Sequence, residues 1–387
     1  MHYFIFPTKD TFISSGSNTS TTGDSERDQN FGQDSILEIK KEFFNDSFDY
    51  QTRALVQFGG SDFNFVSNSV VNGDIVNPKY FLRLYEAEGT QELSTEYTLL
   101  AQPISQSWDE GTGKFGDNPK VTVGCSWENR NNYPGSTAVT WSNADGTRAH
   151  GVATHSVSSS IQSFSNQSPD IEMNITDMTK SWLSGSGQDG TKGGGFENHG
   201  LLLRFSGSQE TNDGTFAQLK FFSKNTHTIY PPKLEVKWDD HVPASGSNTG
   251  SLSPINVSGA DDNYLYVKQL RDSYKETEKV KFRVGARKRY IQKDFSGSVQ
   301  TNSPQYVPEL SGSYSIVDVA TGETIVPFKD IDDNVYSYLS CDVSGSYFVQ
   351  WLNAFQPHRV YKILLKLTTD DNQEYIYDDD FEFKIAR

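Results

Sequence analysis

The chain has few cysteines: only Cys125 and Cys341 occur among its 387 residues, and they are not in a Cys-x-x-Cys spacing. A disulfide framework or a cysteine-based zinc site needs more thiols, or thiols closer together. The sequence therefore predicts two separate thiols. A chain of this length can bury its core in two or three domains without such cross-links.

Long apolar runs are also missing. No stretch approaches the roughly 18 apolar residues of a membrane-spanning helix. Residues 1–7 lack the charged and apolar regions of a secretory signal. These absences predict a protein without membrane insertion that is made in the cytoplasm and used without Sec-dependent export.

Basic residues are outnumbered, with 34 Lys and Arg against 50 Asp and Glu, which gives a formal net charge of −16. Most of this excess lies before residue 259, where 18 basic side chains face 30 acidic ones. Nucleic acids and anionic membranes favour basic partners. We therefore expect no nucleic-acid partner.

Helical periodicity is rare, whereas aromatic residues are abundant, with 19 Tyr and 25 Phe. Apolar residues instead alternate with polar ones, a period that predicts strands with one buried face. The clearest runs are 36–39, 53–58, 80–85, 201–205, 233–238, 279–284, 314–319, 347–352 and 361–367. One helix is predicted, from Ile175 to Ser184, where Met178 and Trp182 share a face.

The pattern predicts an all-β protein with two domains. Residues 239–259 have the Ser, Gly and Pro content of a linker. Residues 1–238, with long polar insertions between strands, are predicted to form a jelly-roll β-sandwich. The strand count and spacing of residues 260–387 predict an immunoglobulin-like sandwich.

The first domain also carries a series of short motifs. They lie in order at 10–13, 30–32, 53–58, 107–111, 175–182, 198–203, 221–223 and 232–236. In this order, residues 8–238 resemble the DNRLRE-type β-sandwich, a jelly-roll module related to carbohydrate-binding modules. The resemblance implies a non-catalytic part of a secreted or surface protein, although members usually follow a signal peptide.

An acidic, β-rich chain without an export signal is similar to virion components of tailed bacteriophages. Residues 345–385 look like the C-terminal sandwich of phage neck, collar or tail proteins. The resemblance implies a non-enzymatic virion structural protein that contacts other virion proteins in many copies. The alternative is a glycan-binding adhesion module on a virion or cell surface.

Catalytic motifs are absent, and the seven histidines show no metal-ligand spacing. Asp109 and Glu110 are adjacent, so on an extended segment they point to opposite sides. We therefore expect no enzyme. A polysaccharide hydrolase is a third class, and it would require two carboxylates about 5 to 9.5 Å apart in a cleft.

Two kinds of ligand contact are candidates. Trp127, Tyr133 and Trp141 lie in a polar stretch, where exposed rings would form a platform for a glycan; otherwise they pack on their own domain or a neighbouring subunit. For a structural calcium ion, the candidate oxygen ligands are Asp24, Asp28, Asp34 and the aspartates at 370, 371 and 378–380. The alternative is solvated acidic loops, and no other cofactor is expected.

Residues 268–293 are unusually basic, with ten basic side chains against three acidic ones. Along 279–284 the charges alternate with apolar residues and so share one face. The predicted docking face comprises Lys279, Lys281, Arg283, Arg287, Lys288 and Arg289. Its partner would be acidic, for example the first domain of another copy; alternatively, the charges are solvated and deter edge pairing of the strand.

Overall fold

The computed structural model of the chain describes residues 1–16, 25–44, 48–88, 97–143, 145–155, 159–164, 170–185, 195–212, 214, 216–258, 263–290 and 304–387. Strands dominate these residues, and the predicted all-β sandwich class is confirmed. Within this described part, no helix is long and apolar enough to cross a membrane.

The chain before residue 238 contributes fourteen strands in the described residues. They are β1 (His2–Ile5), β2 (Pro7–Ser14), β3 (Ile36–Phe44), β4 (Phe48–Phe58), β5 (Lys79–Leu84), β6 (Glu86–Glu88), β7 (Tyr97–Pro103), β8 (Asn129–Asn131), β9 (Val139–Thr140), β10 (Ser160–Phe164), β11 (Ile171–Asn174), β12 (Leu201–Phe205), β13 (Ala217–Phe222) and β14 (Lys233–Lys237). The helices are α1 (Gly60–Val71), α2 (Thr176–Gly185) and α3 (Ser208–Thr211).

The remainder adds eleven strands among the described residues. They are β15 (Ser253–Pro254), β16 (Asn263–Lys268), β17 (Ser273–Lys275), β18 (Lys279–Lys288), β19 (Gln305–Tyr306), β20 (Gly312–Asp318), β21 (Thr324–Val326), β22 (Ser340–Asp342), β23 (Gly345–Trp351), β24 (Val360–Thr368) and β25 (Glu374–Ala386).

The chain divides into two compact units. The first unit comprises residues 5–75 and 79–236, and the second comprises residues 1–4, 76–78 and 237–387. Inside the second unit, the Met1 ammonium donates a hydrogen bond to the Trp238 carbonyl at 2.6 Å. The segment 239–258, whose composition predicts a linker, supplies β15 and buries Ile255 in the core of the second unit.

The strands of the first unit form two larger sheets and one small ribbon. The sheet orders are β14–β5–β11 and β10–β7–β12–β4–β3–β13–β6, with β2 also paired to β4, while β8 pairs with β9. The observed burial of β7 and β13 alternates along each strand. This alternation of buried and half-buried side chains corresponds to the alternation of apolar and polar residues in the sequence.

The second unit is a sandwich of two sheets. Their orders are β15–β19–β18–β23–β22, with β16 paired to β18, and β17–β25–β24–β20–β21. The core lies between them, where the Phe282 and Phe383 rings are 5.5 Å apart and Tyr314 stacks on Phe348 at 3.9 Å. The two outer faces therefore point in opposite directions.

The helix predicted from Ile175 is confirmed as α2, and the Asn174 side chain accepts a hydrogen bond from the Thr176 amide at its start. The expectation of a single helix is wrong, because α1 spans twelve residues. Its buried side chains include Phe63 and Val66, but also two serines. Serine weakens the apolar period that predicts a helix.

Candidate functional surfaces

The long excursion between β7 and β10 folds back and buries its own tryptophans. Trp108 and Trp141 lie in one apolar cluster of the first unit. The indole of Trp108 donates to the His199 carbonyl at 2.8 Å, and that of Trp141 donates to the Ser126 carbonyl at 2.9 Å. Each ring thus combines a large buried area with a satisfied donor.

This placement corrects the predicted glycan platform. Trp127 is only 6% exposed and Trp141 is 0% exposed, whereas Tyr133 is 47% exposed. The Arg53 guanidinium lies 4.7 Å from the centre of the Trp127 ring. Burial of a large ring is favourable by a few kcal/mol, about 25 cal/mol per Å². The structure therefore does not bring the three rings together as an exposed surface.

Asn30 joins the loops around this cluster and is 0% exposed. Its amide nitrogen donates to the carbonyls of Glu110 and Cys125, both at 2.8 Å. Its amide oxygen accepts from the backbone of Gly32 and Gly113 at 3.0 and 2.9 Å. One side chain therefore fixes three separate backbone segments.

The side chains of Asp10 and Glu110 are neighbours in the fold, although the sequence analysis did not predict that these two carboxyl groups form a pair. Glu110 accepts a hydrogen bond from the Asp10 amide at 2.9 Å and contacts the Lys224 ammonium at 3.0 Å. The Asp10 carboxylate accepts from the Lys224 amide at 2.6 Å. Asp10 is 1% exposed, so solvent and ligands do not reach it in this conformation.

Burial raises the pKa of Asp10 to about 7. In the unfolded chain this carboxyl has an ordinary pKa near 3.8, so the folded state retains its proton at higher pH. The stabilising contribution is therefore complete below about pH 4 and is lost as the pH rises toward 7.

We expect Asp10→Asn, which is neutral at every pH, to stabilise the protein by about 1–3 kcal/mol at pH 8 and to change little at pH 4. Thermal unfolding followed by circular dichroism at both pH values measures the difference. The exposed Asp74→Asn is the matched control. An equal effect of Asp10→Asn at both pH values would contradict the assignment.

Among the described residues, the predicted calcium ligands do not form a common metal site. The Asp34 carboxylate accepts a hydrogen bond from the Phe115 backbone amide at 3.0 Å, and the Asp28 carboxylate accepts one from the side-chain Nδ2 of Asn129 at 3.4 Å. Asp24 lies outside the described residues. Across the described ranges no group of three or more His, Cys, Asp or Glu side chains is placed to hold a metal ion. A structural calcium ion stays a prediction.

Five of the six predicted docking residues lie on β18, and Arg289 follows directly after it. Lys279 and Lys281 are exposed and alternate with buried Val280 and Phe282. The side chains of Arg283 and Arg287 continue the same outward row, and Lys288 and Arg289 are exposed at the end of the strand. We call Lys268 of β16, Lys279, Lys281, Arg283 and Arg287 the basic face.

Aromatic rings of the two neighbouring strands support these cations. Lys281 lies 3.6 Å from the centre of the Tyr347 ring, and Lys279 lies 5.2 Å from that of Trp351, both rings on β23. Arg287 lies 4.9 Å from the Tyr264 ring on β16. Such contacts contribute about 0.5–1 kcal/mol each at exposed sites and hold long side chains in place.

Acidic neighbours neutralise only part of the basic face. Asp342 contacts Lys281 at 2.7 Å and also pairs with Arg283. Burial would raise the pKa of Asp342, but these two cations hold that pKa well below its usual range. Within the described ranges, Lys279 and Arg287 have no acidic ion-pair partner. The surface therefore keeps a positive charge.

The strand neighbours of β18 differ along its length. Residues 279–284 pair with β23, and residues 283–288 pair with β16 on the other edge. Charges that deter edge pairing belong on strand edges that lack a neighbour. Both interpretations of the charges on β18, a docking face or solvated charges that also deter edge pairing, therefore stay predictions.

Comparison of the chain with protein-family models, with curated proteins and with solved structures finds no match. The likeness to DNRLRE-type modules and to phage proteins therefore rests on the sequence motifs and stays a prediction.

Proposed function

We propose that this chain is a non-enzymatic structural protein of a tailed-bacteriophage virion, which decorates or joins parts of the neck, collar or tail through its β-sandwich surfaces. The basic face is the observation that carries the proposal, because it is a fixed positive surface on a chain of net charge −16. Its partners are other virion proteins in many copies.

Two properties of the basic face suit assembly. Its cations stand on a paired strand and rest on aromatic rings, so little side-chain freedom is lost when a partner binds. In a symmetric particle, many weak contacts act together, so that a modest interface is sufficient. A charged sheet face also aligns partners before contact.

The buried polar groups of the first unit support the same function. The side chain of Asn30 forms all four of its hydrogen bonds with backbone groups. Glu210 pairs with Arg53 at 2.7 Å. Such satisfied networks rigidify a structure. A rigid fold suits a structural protein of a particle, because it keeps its contact surfaces in place.

Density-gradient purification of the phage that encodes the chain tests this function. We expect peptides of the chain to sediment with intact particles, in a constant ratio to the tail proteins, and to remain after a high-salt wash that removes adhering host proteins. Particles that lack the chain while soluble lysate contains it would contradict the proposal.

A groove in the first unit favours the second candidate function, glycan binding. It has a volume of about 290 Å³ and is lined by Phe12, Asp34, Ile36, Glu38, Lys40, Tyr50, Glu88, Phe115, Gln218 and Lys220. Phe115 is 63% exposed at its rim, and its ring stacks on Phe31 at 6.4 Å. An exposed ring beside carboxylate and amide groups suits a sugar with its hydroxyl groups.

Glycan-array binding by the purified chain tests this candidate. If the groove binds sugar, Phe115→Ala should weaken binding at least tenfold, because the stacking surface is lost. Phe216→Ala, which removes another exposed ring of the first unit, should leave binding unchanged. Absence of binding to any glycan, or equal loss in both variants, would contradict glycan binding in this groove.

A further inference from the structure

A pocket on the second unit includes two residues of the basic face. It has a volume of about 530 Å³. Its lining comprises Tyr266, Val267, Lys268, Gln269, Arg283 and Ser344. Pockets that hold small molecules have volumes of about 300–1,000 Å³ and combine apolar walls with a few placed polar groups. This lining supplies two cations, an amide, a hydroxyl group and an aromatic ring. We call it the β16–β18 pocket.

The two cations of the pocket face each other across neighbouring strands. Lys268 of β16 is directly opposite Arg283 of β18 in the strand register. Opposed side chains of an antiparallel pair lie on the same face of the sheet, with their Cβ atoms about 4.5–5.5 Å apart. Like charges at such positions destabilise the strand pair. A negative group bound between the two cations would remove this repulsion.

Acidic neighbours neutralise only part of this positive charge. Asp342 pairs with Lys281 at 2.7 Å and with Arg283, and it also accepts a hydrogen bond from the Ser344 amide at 2.9 Å. Lys268 has no acidic ion-pair partner among the described residues. Three cations therefore share one carboxylate, which leaves two positive charges beside the pocket.

Gly285 provides the space that the ring and one cation of the pocket occupy. A Cβ at this position would be 2.3 Å from the Tyr266 ring and 2.7 Å from Cε of Lys268. The Lys268 ammonium lies 6.0 Å from the centre of the Tyr266 ring, and the Arg283 guanidinium lies 5.4 Å from that of Tyr347. Ring contacts of this kind hold long cationic side chains in place, so little freedom is lost when a ligand binds.

We propose that the β16–β18 pocket binds a doubly charged phosphate group, carried by a small molecule of sugar size. A phosphate monoester has a charge of about −1.5 to −2 at pH 7 and three acceptor oxygens, which suits the two uncompensated positive charges. A carboxylate, or a phosphodiester within a nucleic acid, supplies only one charge. This inference goes beyond the virion assignment and does not depend on it.

The size of the pocket favours a phosphate with an attached body over the free ion. The five heavy atoms of a phosphate group each need no more than the roughly 30 Å³ of a water molecule. A pocket of about 530 Å³ therefore has room for a sugar ring beside the phosphate. The side chains of Gln269 and Ser344 offer hydrogen-bonding partners for its hydroxyl groups.

Isothermal titration calorimetry of the full chain with glucose 6-phosphate tests the pocket, at about 20 mM salt, where charge attraction is little screened. We expect saturable binding of one ligand per chain. Lys268→Gln should weaken it at least tenfold, because one of the two opposed cations is lost. Glucose, which lacks the phosphate, should not bind, and acetate should bind at least tenfold more weakly than glucose 6-phosphate.

Two further variants separate the pocket from general attraction to a basic surface. Lys288→Gln removes a charge from the same strand outside the pocket lining, and it should leave the affinity unchanged. Gly285→Ala should weaken binding, because the new Cβ would displace the Tyr266 ring and the Lys268 stem. Circular dichroism and melting temperature show whether each variant folds.

Inorganic phosphate distinguishes the two sources of the phosphate group. We expect it to bind more weakly than glucose 6-phosphate, because it lacks the body that contacts Gln269 and Ser344. Equal affinity of the two ligands would overturn the sugar-sized body and assign the pocket to the free ion.

Four results would overturn the pocket itself. They are absence of glucose 6-phosphate binding, equal weakening in Lys268→Gln and Lys288→Gln, unchanged affinity in a folded Gly285→Ala chain, and acetate binding as tight as that of glucose 6-phosphate. Binding of a DNA oligonucleotide in place of glucose 6-phosphate belongs to the first of these results. None of them decides the virion assignment, which particle purification tests separately.

Discussion

Replacing Asn30 by alanine is expected to destabilise the chain by about 3–5 kcal/mol, because a buried donor or acceptor that loses its partner costs about 1–3 kcal/mol. The substitution leaves the amides of Gly32 and Gly113 without an acceptor, and the carbonyls of Glu110 and Cys125 without their donor. Asn30 is 0% exposed, so water does not replace these bonds without local opening.

Urea-induced unfolding followed by circular dichroism measures this loss, and hydrogen exchange locates it. We expect faster exchange at the amides of Gly32 and Gly113 in Asn30→Ala. Asn132→Ala is the matched control, since the Asn132 amide donates one exposed hydrogen bond to the Thr122 carbonyl at 3.0 Å. A change below 1 kcal/mol in Asn30→Ala would contradict its role as the joint between loops.

Replacing Glu210 by alanine is expected to cost a similar amount, about 3–5 kcal/mol, because breaking a buried ion pair leaves an uncompensated charge. Glu210 is 4% exposed and pairs with both Arg53 and Arg204. The Arg53 cation also lies over the buried Trp127 ring. Loss of the carboxylate therefore disturbs the polar network and the tryptophan cluster together.

The same unfolding experiment tests Glu210. Glu172→Ala is the control, since its side chain is 47% exposed and pairs with Arg83 at 3.0 Å. An exposed pair of this kind contributes about 0–1 kcal/mol. Equal losses in the two variants would show that burial does not set the strength of the Glu210 interactions.

The strands are the part of the fold that the sequence predicts well. Runs such as 53–58, 201–205 and 361–367 appear as β4, β12 and β24, because alternation records directly which side of a strand is buried. The sequence does not predict which of the two units a segment joins. Residues 1–4 join the second unit through contacts with residues beyond 237, more than 230 positions away.

The candidate surfaces were predicted only in part. Alternation along β18 reveals its outward charges, but the rings beneath them come from β16 and β23, and only the sheet pairing brings these strands together. Trp127 shows the opposite case. Its sequence neighbours are polar, yet the backbone of Gly151, with a φ of 67°, closes over its ring. When residues far away in the sequence bury a side chain, its sequence neighbours do not indicate that burial.

A reconstruction of purified particles by electron cryomicroscopy tests the central claim most directly, since it shows whether the outer sheet faces of this chain meet neighbours. We expect density for many copies, with the strand 279–287 of each copy covered by an acidic surface of an adjacent subunit. Density in which that strand faces solvent in every copy, or particles without density for the chain, would contradict the claim.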